Sequence, residues 1–297
     1  MIEIFALPGI GEIVPGTDLV AVIGDATEAH DHSRLRDGDV LVVTSKIVSK
    51  AEGRFADAED RQSVIDSETV RTVARRQSMG IVETHHGLTQ AGAGVDNSNV
   101  DQGRILLLPA DPDGSSERLR AGLAARFGVR IGVIMSDTAG RAWRVGQTDH
   151  AIGSAGVTVL DRYAGRVDSY GNELHVTAIA IADELAAAAD LAKTKLGGNP
   201  VAIVRGVGDH VVDPGPVARE LLRTGEEDLF FRGTREAVIG AILSAVGRAD
   251  RYEDVVRLWD RDALVAAITD DLELSDQELT MIRKLITAAQ PIWPPVP

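Results

Sequence analysis

Residues 131–149 read IGVIMSDTAGRAWRVGQTD. Ser136, Asp137 and Thr138 follow directly on an apolar run rich in branched residues, which favours a strand buried on both faces. A carboxylate and hydroxyls at the mouth of such a strand are hard oxygen ligands, suited to Mg²⁺ or Mn²⁺. Gly140 lets the backbone turn, and Arg141 and Arg144 just beyond suit phosphate or carboxylate. The stretch therefore reads as metal plus anion on a rigid strand. The same residues would also serve as a strand, an Asx turn and a solvated helix start, and alone they do not decide.

Two further stretches carry compatible groups. Residues 44–50 read TSKIVSK, two Ser-Lys pairs four residues apart directly after the run 40–43. Lysines and hydroxyls at a strand's carboxyl end suit phosphate. Residues 90–99 read QAGAGVDNSN, where Asp96 and Asn99 stand in a polar turn and both offer oxygen ligands. Asp96 and Asp137 together would form a two-carboxylate metal site. Gly9 and Gly11 invite a dinucleotide fingerprint, but the third glycine is misplaced and Pro15 interrupts any following helix. A glycine-rich loop with backbone N–H groups near a nucleotide and a plain turn both stay open there. His85 and His86 are neighbours on an extended segment and would point to opposite faces, so they make a poor metal pair.

Other chemistries are excluded by pattern. No Gly-Lys-Ser/Thr loop, G-x-S-x-G elbow or H-E-x-x-H occurs. Asp137-Thr138 lacks the second Asp two residues on that an aspartyl-phosphate phosphatase wants; Ala139 sits there. Two separated carboxylates, strand-end lysines and serines, and arginines suit phosphoryl transfer, in which the protein positions and neutralises charge.

These groups need elements to hold them. Residues 3–7, 40–43, 105–108, 131–135, 157–160 and 200–204 read as strands. Residues 18–29, 59–78, 116–127, 176–196 and 233–248 read as helices, with Ser115 or Ser116 capping the third of them. Residues 215–228 read as helix and loop, and 250–289 as helical, with a capping box at Ser275–Glu278 opening the last helix. Residues 291–297 read as an extended tip.

The chain has 297 residues, room for one large domain or two smaller ones, with 44% hydrophobic and 26% charged residues. Aromatics are only 4%, so the core must be mostly aliphatic. A formal charge of −14 argues against a general nucleic-acid binder, which needs a basic face. The absence of Cys removes thiolate, disulfide and iron–sulfur chemistry. No leader-like N-terminus and no run near ~20 apolar residues occur, so a cytoplasmic protein without membrane contact is expected.

Five stretches in order carry a resemblance: LRDGDVLVVTSKIVSKAEGR (35–54), AGAGVDNSNV (91–100), SDTAGRAWRVGQTDHAIGSAG (136–156), YGNELHVTAIAIADELAAAADL (170–191) and VAIVRGVG (201–208). Over roughly residues 1–245 the chain resembles the coenzyme F420-0:γ-glutamyl ligases, including the N-terminal domain of the actinobacterial two-domain version. The resemblance implies an α+β fold of mixed and antiparallel sheets with flanking helices, two interleaved subdomains and a homodimer. The subdomains would be about 1–80 with 190–245, and 81–189, followed by a helical extension over 246–297. It implies a GTP-dependent ligase that activates the carboxylate of F420-0 as an acyl phosphate, adds L-glutamate and extends it through γ-links. Mn²⁺ or Mg²⁺, two ions in all, and K⁺ are implied; flavin is not expected. By matching motifs, Ile10, Gly11, Glu12, Ile13, Ser45, Lys50 and Asn99 would contact GTP, with Arg205 and Gly206 lining its site. Asp96, Asp137 and Thr138 would hold metal, and Asp137 and Lys50 would be catalytic. A metal-dependent nucleotide phosphohydrolase and a non-catalytic GTP-binding protein are the alternatives.

Overall fold

Residues 40–44 and 132–136 are nearly all branched or small, and both runs form strands whose side chains are buried on both faces. In the computed structural model, which describes residues 1–77, 79–223, 225 and 228–289, they lie side by side and parallel, with Thr44 paired to Ser136. In chain order the strands are β1 (Glu3–Ala6), β2 (Val40–Thr44), β3 (Phe55–Asp57), β4 (Thr69–Arg76), β5 (Met79–Thr84), β6 (Thr89–Ala91), β7 (Arg104–Leu106), β8 (Gly132–Arg141), β9 (Arg144–Ala155), β10 (Asp161–Arg162), β11 (Ala178–Ile179) and β12 (Val201–Arg205). The helices are α1 (Leu19–Glu28), α2 (Ser45–Ala51), α3 (Arg61–Glu68), α4 (Pro112–Phe127), α5 (Ile181–Lys193), α6 (Thr234–Ala245), α7 (Tyr252–Val256), α8 (Arg261–Thr269) and α9 (Asp276–Ala289).

The chain divides into two compact units of two segments each: Met1–Val64 with Gly94–Leu222, and Ile65–Ala93 with Arg223–Pro297. The sequence reading drew its boundaries near 80, 189 and 245; the packing draws them at 64, 93 and 222. The architecture is α+β with mixed and antiparallel sheets, as expected.

The first unit is built on a five-stranded sheet ordered β1-β12-β2-β8-β9. Only β2 and β8 are parallel; the other junctions are antiparallel. Helix α5 covers Val40, Val42, Ala202 and Val204 with Ile181, Ala182, Leu185, Ala186 and Ala189, its alanines allowing close approach. Helix α4 packs on β8 and β9. The approach is tight at Gly153, where a Cβ would stand 2.4 Å from the Pro112 carbonyl oxygen.

The second unit pairs the antiparallel sheet β4-β5-β6 with helices α6 to α9. Its helical core gathers Ile239, Leu243, Val255, Leu264, Ile268 and Ile286. Tyr252 Oη donates to the Thr72 carbonyl at 3.0 Å, and Glu253 accepts from the Thr72 amide.

Several sequence expectations change. Residues 59–78 are not one helix: α3 ends at Glu68, and the β-branched run TVRTV enters β4, paired with β5. Helix α4 begins at Pro112, a turn earlier than read, because Asp111 accepts from Gly114 N at 3.0 Å and proline suits the first turn. Strand β8 does not stop at Ser136 but runs to Arg141, since β9 pairs with it throughout. Residues 157–160 form no strand; Val157 makes a single bridge to Val211. The helix read over 176–196 spans only Ile181–Lys193, and residues 178–179 pair with β10 instead. Within 215–228 the described structure is a 3₁₀ turn, Ala218–Leu221, with irregular chain; residues 224, 226 and 227 lie outside the described residues. So does the tip at 291–297. The capping box forms as read: Glu278 accepts from Ser275 Oγ at 2.6 Å and from its amide at 2.8 Å. Among the described residues, no helix is long and apolar enough to cross a membrane.

Candidate active site

Parallel strands run the same way, so the end of β2 brings Thr44 and Ser45 level with Ser136, Asp137 and Thr138 midway along β8, at one edge. Antiparallel β12 starts beside them, its Pro200 carbonyl accepting from Thr44 N at 2.9 Å. A cavity of about 330 Å³ opens at this edge. Its wall includes Ile10, Gly11, Glu12 and Ile13 from the loop after β1, Lys46 and Lys50 from α2, and Asn99. Across from these stand Thr138, Asp149, Asp190, Lys193 and Lys195.

Alternation along β8 sorts these residues into two groups. Asp137 accepts from Ser45 Oγ at 3.0 Å. Ser136 and Thr138, on the other face, both donate to Asp149, at 2.7 Å each. Lys193 completes that second group, with Nζ 2.8 Å from Asp149 Oδ2 and from Ser136 Oγ. Beside the first group, Lys46 Nζ lies 2.7 Å from Asp96 Oδ2. Asp96 also accepts from the amide and hydroxyl of Ser98 at 2.8 and 2.9 Å. This polar turn is closed by Asn99 at φ 56°, a left-handed conformation that Asn tolerates. Lys50 pairs with Glu12.

The electrostatics separate the three carboxylates. Burial raises the Asp137 carboxyl to about 6, and the negative charges of Asp149 and Asp96 add to it against the Ser45 hydrogen bond. Burial also pushes Asp96 upward, but the Lys46 and Ser98 hydrogen bonds outweigh it and the net shift is downward. At Asp149 the Lys193 charge and hydrogen bond likewise overcome burial. Asp137 is thus the carboxylate of the three without a lysine of its own.

That imbalance tests the metal reading. Asp96 and Asp137 come close enough to repel, and the donor set is two carboxylates with hydroxyls nearby. Mg²⁺ and Mn²⁺ are usually held by one or two protein carboxylates, with waters and substrate phosphates completing the sphere. The residues fit such an ion. Among the described residues no set of three or more His, Asp or Glu side chains is arranged to hold a metal by itself.

The structure separates other residues from this edge. Arg205 lies at the far end of β12, where its fork grips Asp39 at 2.9 and 2.8 Å and its remaining donors reach the carbonyls of His32 and Arg34. The antiparallel register explains this: Val201 is opposite Val43 beside the cavity, and Val204 is opposite Val40 at the other end. Gly206 serves backbone packing, since at φ 87° a Cβ there would stand 2.1 Å from the Met1 carbonyl oxygen. Arg141 and Arg144 sit at the exposed tip of the β8–β9 hairpin and not in the cavity wall. Thr138 donates its hydroxyl to Asp149 and also lines the cavity. Sequence reasoning gave no role to Asp149, Lys193, Asp190 or Lys195. Asp149 closed the quoted stretch, and the only signal at the lysines was the Lys-Thr-Lys after α5.

The model of the F420-0:gamma-glutamyl ligase family matches residues 9–206. A coenzyme F420:L-glutamate ligase of Archaeoglobus fulgidus is 37% identical over 253 residues, 78% of this chain and 97% of the relative. Enzymes of the same name from Halorubrum lacusprofundi and Methanopyrus kandleri are 39% and 36% identical, covering 70% and 74% of this chain and 89% and 93% of their own. The matched segment contains both strand ends, the loop after β1, the Asp96 turn and α5. The chain belongs to the F420-0:gamma-glutamyl ligase family.

Proposed function

We propose that this ligase joins L-glutamate to the terminal carboxylate of coenzyme F420-0 at the expense of GTP, and extends the product through further γ-links. The carboxylate takes the γ-phosphoryl group, releasing GDP. The glutamate amine then attacks the acyl carbon, an amide forms, and phosphate and a proton leave. The homologues' names support the acceptor and the amino acid. The single observation that supports the nucleotide step is the cavity whose wall holds Lys46, Lys50 and the loop 10–13, with Lys46 paired to Asp96 and with Asp137, bonded to Ser45, standing just behind that wall.

In this reading Lys50 and Lys46 neutralise phosphate oxygens, and backbone amides of residues 10–13 approach the nucleotide. Asn99, held left-handed at the rim, offers its amide to the same ligand. Asp137 and Asp96, with Thr138 nearby, would hold Mn²⁺ or Mg²⁺, which stabilises charge on the transferring phosphoryl group and the leaving GDP. Holding carboxylate, phosphoryl group and amine in line supplies the rest by proximity. K⁺ as an assisting ion and a homodimer belong to the same reading; flavin does not.

Incubation of the protein with F420-0, GTP, Mn²⁺ and glutamate should yield F420 carrying one or more added glutamyl residues by mass spectrometry. Phosphate release that proceeds equally without glutamate and F420-0, with no mass change, would replace the ligase reading with a phosphohydrolase. Replacing GTP by ATP separates the nucleotide assignment from the rest.

A further inference from the structure

Ser136, Thr138, Asp149 and Lys193 form a closed polar network, of which the reaction scheme uses only Thr138. Lys193 and Asp149 are among the most buried charged side chains of the protein, 5% and 3% exposed. A buried ion pair is a poor source of stability, because desolvation offsets most of its attraction. Its geometry here has another effect. Asp149 offers Oδ1 to Thr138 and Oδ2 to Ser136 and Lys193. As an ionised carboxylate it can only accept, so both hydroxyls must spend their single proton on it. Thr138 lines the cavity and is left with lone pairs alone to present there. A hydroxyl so fixed suits a cation and repels a phosphate oxygen.

We infer that Lys193 is a positioning residue: acting through Asp149, it holds the Thr138 hydroxyl as an acceptor-only ligand for a divalent cation in the cavity. This rests on the metal-dependent reading above and assigns work to two residues outside the expected site. Lys193 Nζ, 2.8 Å from Asp149 Oδ2 and from Ser136 Oγ, is the donor that completes the carboxylate's acceptor role. A protonated or amide side chain at 149 would donate to one hydroxyl and turn it around.

The test measures Mn²⁺ binding to the nucleotide-free protein by calorimetry and by the loss of the free-ion electron-spin signal. Removing Lys193 alone would change the local field, so the informative variant is the charge-balanced double Asp149→Asn with Lys193→Met. It should bind Mn²⁺ about 10-fold more weakly or worse, the usual effect of losing a group that orients a ligand. Thr138→Val should lose a similar factor, and the triple variant should lose no more than Thr138→Val. Far-ultraviolet dichroism and a thermal melt check that each variant is folded; should the double variant be unfolded, Asp149→Asn alone is compared with Thr138→Val in the same way. Unchanged or tighter Mn²⁺ binding by the double variant, or losses that add in the triple, would overturn the inference. Absence of Mn²⁺ binding by the wild type would overturn the cation site itself. Glutamylation of F420-0 by a protein that binds Mn²⁺ normally in every variant would leave the ligase reading standing and remove this one.

Discussion

Lys50 is 8% exposed and its partner Glu12 is 75% exposed. The ammonium is built into the wall, whereas the carboxylate arrives from a loop whose Gly9 is left-handed. In the proposed GTP reading, Glu12 occupies the place on Lys50 that a phosphate oxygen would take. Glu12→Gln should lower the KM for GTP about 2- to 5-fold, since an exposed pair is worth at most ~1 kcal/mol; steady-state kinetics reads this. Lys50→Ala should raise the same KM about 10-fold or more, the loss of a hydrogen bond to a charged group. Unchanged KM would take Lys50 out of the site. Asp137→Asn should lower kcat for glutamylation at least about 100-fold while the melting profile is retained, because this side chain's partner is the Ser45 hydroxyl, which an amide oxygen can still accept from. At this scale the sequence was most informative about the apolar runs: the run 40–43 forms β2, which ends at Thr44, and Thr44 pairs with Ser136, so that Ser45 reaches Asp137. It was uninformative where a side chain reaches the site from a helix end far along the chain. Lys193 meets Asp149 across 44 residues, and no local spacing announces that contact.

Among the elements, the half-buried ones were hardest to read. Strands β2 and β12, uniformly apolar, were plain in the sequence. The outer half of β8 carries polar residues and glycine, so it reads as a turn, yet pairing with β9 keeps it extended to Arg141. Residues 59–78 failed for a related reason. Val64, Ile65, Val70 and Val73 fit a helical stripe, but four spaced positions cannot outweigh a β-branched run with a neighbouring strand to join. That strand, β4, also carries a prediction about pH. Burial raises the Tyr252 hydroxyl to about 12, with Arg232 opposing. The folded state holds this proton more tightly than the unfolded chain, whose tyrosine titrates near 10. Stability from this group is therefore complete below pH 10 and is lost as pH rises through 10 to 12. Tyr252→Phe should flatten that part of the stability profile in chemical denaturation. It should also cost about 1 kcal/mol at neutral pH, from the lost bond to the Thr72 carbonyl.

For the whole molecule, the sequence conveyed the mixture of sheets and helices but not the seams between units. The last helices read as an extension because the resemblance ends near residue 245. Instead they supply most of a core: Tyr252, Val255, Leu264, Ile268 and Ile286 lie with Ile239 and Leu243 in one cluster. Cutting the chain after residue 245 would strip Ile239 and Leu243 of these neighbours and leave the Thr72 amide without Glu253. A protein truncated there should aggregate or melt far below the full chain in differential scanning fluorimetry. An intact melting temperature would mean that the expected extension is separable after all.

The two segments of the second unit are parted by 129 residues of chain, Gly94–Leu222. During synthesis at ~5–20 residues per second, the hairpins of residues 69–91 emerge roughly 7 to 29 seconds before the helices they pair with begin to. Through that interval the nascent polypeptide carries an uncovered apolar sheet, so a ribosome stalled between codons 93 and 223 would hold a species that sticks to holdase chaperones and ceases to do so once translation finishes.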